Sequence, residues 1–286
     1  MPETTSPTLP APETLVPLLR RDLPQFKQIE WVERTTSTNA ELLNKARTNR
    51  QRLARPWLSG AHLQEQGRGR AGRTWQNRAG ANLMFSCAFD VFLPIKLLPA
   101  LSPVAGIAAC EALRRFIKPP QRDNLTMKWP NDLQWKTGKL AGILVETTRA
   151  GTSRLSSDHH VVIIGIGINL DDARALSLAL DRQVADWCEI ARDNALLEDV
   201  PVATLVTSIA HAWYEALNTI MHSGFETFPA RHAQIDTLAG QHVDVLDEGH
   251  IIDSGIACGI NQFGQLLLRT PKGETPITIG EISVRL

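Results

Sequence analysis

The segment Gly67–Trp75 concentrates residue types that are suited to holding a small anionic ligand. Three glycines alternate with three arginines, and a tryptophan closes the run. Glycine lets a ligand approach the main chain closely, and each arginine presents a planar set of donors that fits phosphate or carboxylate oxygens. We therefore expect a ligand-binding loop that is flexible when empty, with the apolar ring of Trp75 covering the bound ligand.

This segment does not match the common nucleotide-binding loops. No Gly-Lys-Ser/Thr follows at the P-loop spacing, and no glycine-opened helix with a later ribose-binding acid is evident. The alternative is a flexible RG-rich segment that binds nucleic acid without sequence preference. Thirty basic residues balance thirty acidic ones, which argues against a protein dedicated to nucleic-acid binding.

Two further segments carry side chains that could bind a ligand or take part in catalysis. In Lys128–Asp132 the proline forces the preceding residue to be extended, and Asn-Asp after proline favours a turn, so the lysine is held by rigid neighbours. In Thr35–Glu41, Thr38 and Glu41 fit a helix capping box. The competing interpretation is that the hydroxyls and free amides at this helix start bind a ligand.

Composition narrows the class of protein. Apolar residues make up 43% of 286 residues, enough for a substantial core. The four cysteines are scattered without a Cys-x-x-Cys pair, which indicates neither disulfides nor zinc. No apolar run reaches the ~20 residues of a bilayer span, and the N-terminus lacks a signal-peptide pattern. We predict a cytoplasmic protein without a membrane partner.

The N-terminal segment is rich in Pro and Thr and begins without hydrophobic periodicity. We therefore predict a disordered or loosely ordered tail over residues 1–27, with at most one short helical turn near Leu15–Arg21. Glycines 165 and 167 interrupt a strand and indicate a bulge or a close backbone approach. His159 and His160 are interpreted as part of a solvated loop, 147–160. Residues 171–199 are weakly patterned and are predicted to be helical in part. Strands are predicted at 28–34, 58–64, 82–92, 125–129, 132–135, 139–146 and 161–170, and helices at 40–50, 97–118 and 201–224.

From about residue 238 the pattern changes to five short alternating stretches separated by Gly, Asp and Pro, which is typical of a small β-barrel. The predicted domains are therefore 28–236 and 237–286.

Together, the order of these segments resembles that of the biotin protein ligases, also called biotin–[acetyl-CoA-carboxylase] ligases. The resemblance runs from about residue 28 to residue 286. It is carried by Ser37-Thr38-Asn39, Gln64, Gly67–Trp75, Lys128–Asp132, Lys139–Glu146, Gly165–Leu170 and Gly280–Arg285.

The resemblance implies an α+β fold: a class II synthetase-like mixed sheet backed by helices, followed by a small SH3-like barrel. It also implies an enzyme that joins biotin to ATP, releases pyrophosphate and retains biotinyl-5′-AMP. Biotin then passes to a lysine of a biotin carboxyl carrier protein, a subunit of acetyl-CoA carboxylase. ATP and Mg²⁺ are the implied cofactors, with biotin as the substrate.

The same resemblance assigns roles to individual residues. The catalytic residues would be Lys128, Arg68 and Arg70. Biotin would be bound by Ser37, Thr38, Asn39, Gln64, Arg68, Gly69, Arg70 and Lys128. ATP or the adenylate would be bound by Arg70, Arg73, Trp75, Lys128, Asn131, Lys139, Asn169 and Arg285, and Asn169 would also bind Mg²⁺.

An alternative function stays open. A lipoate–protein ligase shares the fold and the adenylate mechanism, although the arginine-rich loop and the terminal barrel favour biotin.

Some relatives carry an N-terminal winged-helix repressor domain. The residues before Gln28 are too few for one, since fewer than about 40 residues rarely fold alone, so we expect no repressor function and no nucleic-acid partner. A homodimer through a sheet edge is left open.

Overall fold

The computed structural model describes residues 9–48, 54–150, 158–194, 200–247 and 250–278, and the backbone of 283–285. Its larger part is built on a seven-stranded sheet with the order β1-β2-β3-β7-β6-β5-β4. Strands β1 and β2 are parallel and all other neighbours are antiparallel. The strands are β1 Gln28–Thr35, β2 Trp57–Gln64, β3 Asn82–Phe92, β4 Leu125–Lys128, β5 Asp132–Trp135, β6 Gly138–Arg149 and β7 His159–Asn169.

The sheet has two different faces, because successive side chains of a strand point to opposite sides. One face carries the large apolar side chains of β3 and β7, and the long helices α3 (Leu101–Arg114) and α6 (Val202–Ser223) pack there. The other face is covered in part by α2 (Thr38–Thr48). The site described below lies on the face that carries α2.

Helix α3 lies in the core. A 3₁₀ segment, Ile95–Ala100, precedes it, so the helix predicted at 97–118 is two elements. Among the described residues, Ile95–Arg114 is the one helical run long and apolar enough to cross a membrane, and 67% of the apolar stretch that qualifies is buried within the protein. Trp213 of α6 donates its indole N–H to the Ala105 carbonyl at 3.0 Å.

The expectation of a loosely ordered tail does not hold for α1, Pro12–Asp22. Leu15, Leu19 and Leu23 recur every fourth residue and are fully buried, and α1 packs on β1 and α6. The Pro- and Thr-rich composition concealed this apolar stripe, which is the feature that stabilises an amphipathic helix. The remaining helices are α4 Ala173–Leu180, α5 Trp187–Asp193 and α7 Phe228–Ala233.

The interpretation of His159 and His160 as loop residues is also wrong. Strand β7 pairs with β3 along its whole length, from Asn82–Asn169 to Phe92–His159. The His159 Nε2 lies 2.8 Å from an oxygen of Asp90, and its ring stacks on Phe92. His160 is 3% exposed, and burial lowers the pKa of its imidazole below the usual value.

The C-terminal part forms a second, five-stranded antiparallel sheet with the order β11-β10-β9-β8-β12. It contacts the larger part through Trp129, whose indole N–H donates to the Gly264 carbonyl at 2.9 Å. The α+β class, with a mixed sheet followed by a small β domain, is confirmed; the exact domain limits stay predictions. The strands are β8 His242–Asp247, β9 His250–Ile260, β10 Leu266–Thr270, β11 Gly273–Ile277 and β12 Ser283–Arg285.

Candidate active site

A cavity of about 690 Å³ opens on the sheet face that carries α2. This volume is in the usual range for a small-molecule site. Segments far apart in the sequence meet there, because the edges of α2, β2, β4, β5, β6 and β7 all reach it. Twelve of the predicted site residues line the cavity: Ser37, Thr38, Asn39, Gln64, Arg68, Gly69, Arg70, Arg73, Trp75, Lys128, Asn131 and Lys139.

The segment Gly67–Trp75 forms a hairpin over this cavity. The Trp75 amide donates to the Gly67 carbonyl at 2.8 Å, and the Gly69 amide donates to the Arg73 carbonyl at 2.7 Å. The chain turns through Ala71 and Gly72, with φ angles of 51° and 69°. The alternating sequence thus provides two backbone bonds and one tight turn, with arginines on both arms.

Glycines in β6 and β7 make room for the side chains that form the cavity wall. A Cβ added to Gly167 would lie 2.5 Å from the Trp75 ring, and one added to Gly165 would lie 2.1 Å from Oδ1 of Asn39. The register of β7 with β3 runs without interruption, so no bulge is present. The strand glycines mark a close approach of side chains, as one of the two sequence interpretations predicted.

Uncharged polar side chains meet at one end of the cavity, around Gly165. The Asn39 amide nitrogen donates to Leu144 O and Glu146 Oε2, so its oxygen is the acceptor for the Ser86 hydroxyl, at 2.6 Å. The Ser86 oxygen then accepts from the Thr38 hydroxyl at 2.7 Å. We call Ser37, Thr38, Asn39, Gln64 and Ser86 the neutral end.

A hydrogen bond from the main chain orients Gln64 in the same group. Its Oε1 accepts from the Thr38 amide at 2.8 Å, which directs the amide nitrogen of Gln64 away from that helix start. The Thr38 hydroxyl, having donated to Ser86, keeps oxygen lone pairs for a further donor. The neutral end therefore offers both hydrogen-bond donors and acceptors without a net charge.

Charged side chains from the hairpin and from the neighbouring strands β4 to β6 gather around Gly142. Lys139 Nζ lies 2.7 Å from Asp132 Oδ1, and Arg70 donates to Asn131 Oδ1 at 3.3 Å. Burial lowers the pKa of the Arg70 guanidinium, while nearby Asp132 raises it and Arg73 lowers it further. We call Arg70, Lys128, Asn131, Asp132 and Lys139 the charged end.

The distance between the two ends follows from strand register. Gly142 pairs with Gly167, and Leu144 pairs with Gly165. Neighbouring residues on one face of a strand are about 6.6 Å apart, twice the rise per residue. The hairpin spans this distance. Arg68 contacts Glu146 beside the neutral end, and Arg70 contacts Asn131 at the charged end.

The start of α2 differs from the capping box predicted for Thr38 and Glu41. The Ser37 hydroxyl accepts from the Ala40 amide at 3.4 Å, and the Glu41 carboxylate accepts from the Thr35 hydroxyl. Thr38 is used by Gln64 and Ser86 instead. The alternative interpretation, that hydroxyls at this helix start belong to a ligand site, agrees with the position of Thr38 on the cavity.

Sequence reasoning assigned no role to three residues of the site: Ser86, Asp132 and Glu146. Ser86 was detectable as a lone hydroxyl within the apolar run of β3. Asp132 and Glu146 stood inside quoted motifs, but nothing in the sequence shows which cation each would meet.

One predicted residue, Asn169, is not among the described residues that line the cavity. The Asn169 amide donates to the carbonyls of Lys139 and Ala185 and accepts from Asn82, so it supports the β6–β7 region. The backbone of Arg285 pairs with Asp244 in the smaller sheet. The ATP-binding assignment of Asn169 stays a prediction that the geometry does not favour. That of Arg285 also stays a prediction, because its side chain lies outside the described part of the structure.

Asn169 does not fit the magnesium ligand predicted for it. Its oxygen already accepts a hydrogen bond at 3.1 Å, and the residue is 4% exposed. Among the residues that the structure describes, no cluster of three or more His, Cys, Asp or Glu could hold a metal. Mg²⁺ is usually held by one or two carboxylates together with substrate phosphates, and Asp132 is the carboxylate placed among the cations here.

Comparison with known proteins agrees with this architecture. Residues 31–169 match the model of the biotin/lipoate A/B protein ligase family, and residues 239–285 match the biotin protein ligase C-terminal domain. The second match agrees with the small SH3-like domain predicted for this part of the chain.

Proteins similar to the chain include two curated relatives and one solved structure. The bifunctional ligase/repressor BirA of Escherichia coli is 32% identical over 226 residues, 79% of this chain and 65% of its own length, so the chain spans just under two thirds of that relative. The biotin–[acetyl-CoA-carboxylase] ligase of Paracoccus denitrificans is 33% identical over 258 residues, 87% of this chain and 97% of its own. A biotin protein ligase from Aquifex aeolicus, solved with biotin and ATP, gives a TM-score of 0.69 at 27% identity and covers 91% of this chain and 99% of its own.

The relative from Paracoccus denitrificans matches almost end to end, and both family models fall on the two sheets in the expected order. This chain therefore belongs to the biotin protein ligase family.

Proposed function

We propose that this protein is an ATP-dependent biotin protein ligase. It would form biotinyl-5′-AMP from biotin and ATP, and then transfer biotin to a lysine of a biotin carboxyl carrier protein. The observation that carries the proposal is the single cavity in which the neutral end adjoins the charged end, with the hairpin over both. The activities named for the relatives support it.

The neutral end suits the ureido group of biotin. A cyclic urea has two N–H donors and one carbonyl acceptor and carries no charge. The Thr38 hydroxyl oxygen can accept, and the Gln64 amide nitrogen can donate. Charged partners would cost desolvation energy here without an opposite charge to offset it.

The charged end suits adenylate formation. A carboxylate oxygen of biotin attacks the α-phosphorus of ATP, the bond to the bridging oxygen breaks, and pyrophosphate leaves with its electrons. Two anions must approach, so positioned cations lower the barrier. Lys128 and Arg70 line the cavity and would contact the reacting oxygens. Removing one such donor typically costs about 10²–10³ in rate.

Lys139 and Trp75 suit the nucleotide. The Lys139 ammonium lies 5.8 Å from the centre of the Trp75 ring and is held by Asp132. An aromatic face beside a cation can stack on adenine and attract its phosphates. No step proposed here depends on a metal ion held by the protein.

In the second reaction the protein mainly has to give the carrier lysine access to the adenylate. The amine of a carrier lysine attacks the acyl carbon of the mixed anhydride, and AMP leaves through cleavage of the C–O bond. Until the carrier arrives, water must be kept away from the anhydride. The Gly67–Trp75 hairpin covers the cavity and can open for the carrier, as gating loops do in other enzymes.

A lipoate–protein ligase is the competing function. The dithiolane ring of lipoate has no N–H or carbonyl group, so it would give no hydrogen bond to the oxygen lone pairs of Thr38 or to the amide nitrogen of Gln64. A buried polar group without a partner costs about 1–3 kcal/mol. The hydrogen-bonding neutral end therefore favours biotin.

The deciding experiment is ATP–pyrophosphate exchange with Mg²⁺ and biotin, lipoate or octanoate. Exchange with biotin alone would support both the reaction and the substrate. Exchange with lipoate would retain the mechanism and refute the substrate, and no exchange with any acid would refute the proposal.

Three further expectations are proposals of the same kind. We propose a cytoplasmic location. The four cysteines, Cys87, Cys110, Cys188 and Cys258, are free thiols, as is usual for proteins of a reducing compartment. The predicted independence from nucleic acid stays a prediction, as does a homodimer through one edge of the larger sheet.

A further inference from the structure

The reaction described above leaves Glu146 without a role, although its carboxylate contacts both the neutral end and the hairpin. Its Oε2 accepts from Asn39 Nδ2 at 3.0 Å and from Arg68 Nη2 at 3.1 Å, and its Oε1 lies 3.2 Å from the same Arg68 nitrogen. One carboxylate group thus connects helix α2 with the arm of a hairpin that is distant in sequence.

Strand register explains how Glu146 reaches both partners. Gly142, Leu144 and Glu146 alternate along β6, so all three lie on the cavity face. The Leu144 carbonyl also accepts from Asn39 Nδ2, at 3.3 Å. The side chain of Glu146 therefore begins beside the amide that it orients, on a rigid central strand paired with β7.

The contact with Arg68 adds to the two backbone bonds that close the hairpin. Arg68 is bridged to Thr74 on the opposite arm. Its side chain is 43% exposed and that of Glu146 is 23% exposed, so the ion pair is partly solvated and of moderate strength. Such a pair can stabilise the closed hairpin without preventing it from opening.

We propose that Glu146 is a positioning residue that couples occupation of the neutral end to closure of the Gly67–Trp75 hairpin. A ligand that orders Asn39 and its hydroxyl neighbours also fixes the carboxylate, and the fixed carboxylate holds Arg68. Coupling between two binding events is reciprocal, so a closed hairpin also strengthens binding at the neutral end. The inference rests on the proposed function only for the identity of the ligand.

The coupling has a chemical benefit. The hairpin would close when biotin binds, before the water-sensitive adenylate is formed. Without Glu146, biotin would still find its hydrogen-bonding partners, but the hairpin would close only when phosphate oxygens attract its arginines. The expected defect is therefore loss of adenylate to solvent and to stray lysines, with smaller change in the rate of adenylate formation.

The first test needs no ligand. Hydrogen exchange of the Gly69 and Trp75 amides, whose bonds close the hairpin, is measured in the wild-type protein, Glu146→Ala and Glu146→Gln. We expect exchange about two- to fivefold faster in Glu146→Ala, the range expected for loss of a partly exposed ion pair. Glu146→Gln keeps one acceptor oxygen and should be intermediate. Unchanged exchange in both variants would overturn the proposal.

Glu65→Ala is the matched control. Glu65 pairs with Arg34 at 3.3 Å on the exposed surface close to the hairpin, and it does not line the cavity. This variant removes a carboxylate–arginine contact of similar type without touching Asn39 or Arg68. Hairpin exchange should match that of the wild-type protein; acceleration equal to that of Glu146→Ala would mean that any nearby charge suffices, and would overturn the proposal.

The second test measures the coupling itself with biotinol, in which the carboxylate of biotin is replaced by an uncharged alcohol. In the wild-type protein, saturating biotinol should slow exchange of the Gly69 and Trp75 amides. In Glu146→Ala it should still bind by calorimetry but leave the exchange rates unchanged. A merely structural role for Glu146 would alter binding and exchange without removing the response, and an equal response in both proteins would overturn the inference.

Failure of the proposed function gives a different pattern. Wild-type protein that neither binds biotinol nor exchanges pyrophosphate with biotin would refute the ligase assignment, while the ligand-free test still decides whether Glu146 holds the hairpin. Wild-type protein that exchanges pyrophosphate with biotin, but whose hairpin does not respond to bound biotinol, would refute the coupling alone.

Discussion

Replacing Gly167 with alanine tests whether the strand glycines exist to seat Trp75. The added Cβ would lie 2.5 Å from Cε2 and 2.7 Å from Nε1 of that ring. Carbon atoms pack at about 3.5–4.0 Å, so the ring must move by about 1 Å or more. Trp75 is only partly buried and can move into the cavity, so the β7 ladder and the fold should survive.

The displaced ring would no longer lie beside Lys139, from which the ring centre is 5.8 Å away. Stacking of a base on an aromatic side chain is worth about 1–3 kcal/mol, which corresponds to about a 5- to 150-fold change in affinity. We therefore expect the KM for ATP in pyrophosphate exchange to rise within that range, while the KM for biotin changes little.

Gly142→Ala is the matched control, since its Cβ would meet the same ring at 3.2 Å and needs a shift of only a few tenths of an ångström. Its effect on ATP should be much smaller. In a Trp75→Ala background, Gly167→Ala should have almost no further effect. An equal penalty with and without the tryptophan would show that the glycine serves the strand, and would refute the reasoning.

Other substitutions and conditions probe separate parts of the site. Lys128→Ala should lower adenylate formation by about 10²–10³ with an unchanged circular dichroism spectrum; normal pyrophosphate release would contradict its role. Arg70→Gly should let the adenylate escape, seen as biotin on lysines of a bystander protein, whereas strictly carrier-bound biotin would count against it. Trypsin should cut within 68–73 in the empty protein, and biotin with ATP should protect this segment; equal cleavage in both states would argue against closure. Burial lowers the pKa of His160 from 6.5, so the folded protein resists its protonation and stability should fall as the pH drops below about 6.5. His160→Leu should weaken that dependence in thermal unfolding, and an identical pH profile would refute it.

The sequence was most informative where a local pattern and its tertiary setting agree. Strand β3 was predicted with its observed limits, Asn82–Phe92, because a long run of apolar residues in a central strand leaves little choice of structure. The glycines at 165 and 167 predicted a bulge or a close approach to the backbone. They could not identify the side chains that approach, because Trp75 and Asn39 come from distant parts of the sequence.

The wrong sequence predictions have a common physical cause. In each case the burial or the hydrogen bonding of a residue depends on neighbours that are remote in the sequence. Leu15, Leu19 and Leu23 look unremarkable in a Pro-rich segment until β1 and α6 supply the surface on which they pack. His159 and His160 look solvated until β3 pairs with them. Asn169 is predicted from a motif to bind ATP and Mg²⁺, but its side-chain amide is hydrogen-bonded to Asn82, Lys139 and Ala185.

The hydrogen bond from Trp129 to the Gly264 carbonyl joins the two parts of the protein next to Lys128. Gly264 lies in a β9–β10 turn that Asn261 organises by accepting from the amides of Phe263 and Gln265. Trp129, the residue beside Lys128, is thus anchored by a turn of the C-terminal sheet. Selection on the chemistry of Lys128 would consequently act on that turn as well, so these two modules would be inherited as one unit and an exchanged C-terminal domain would have to bring a compatible turn with it.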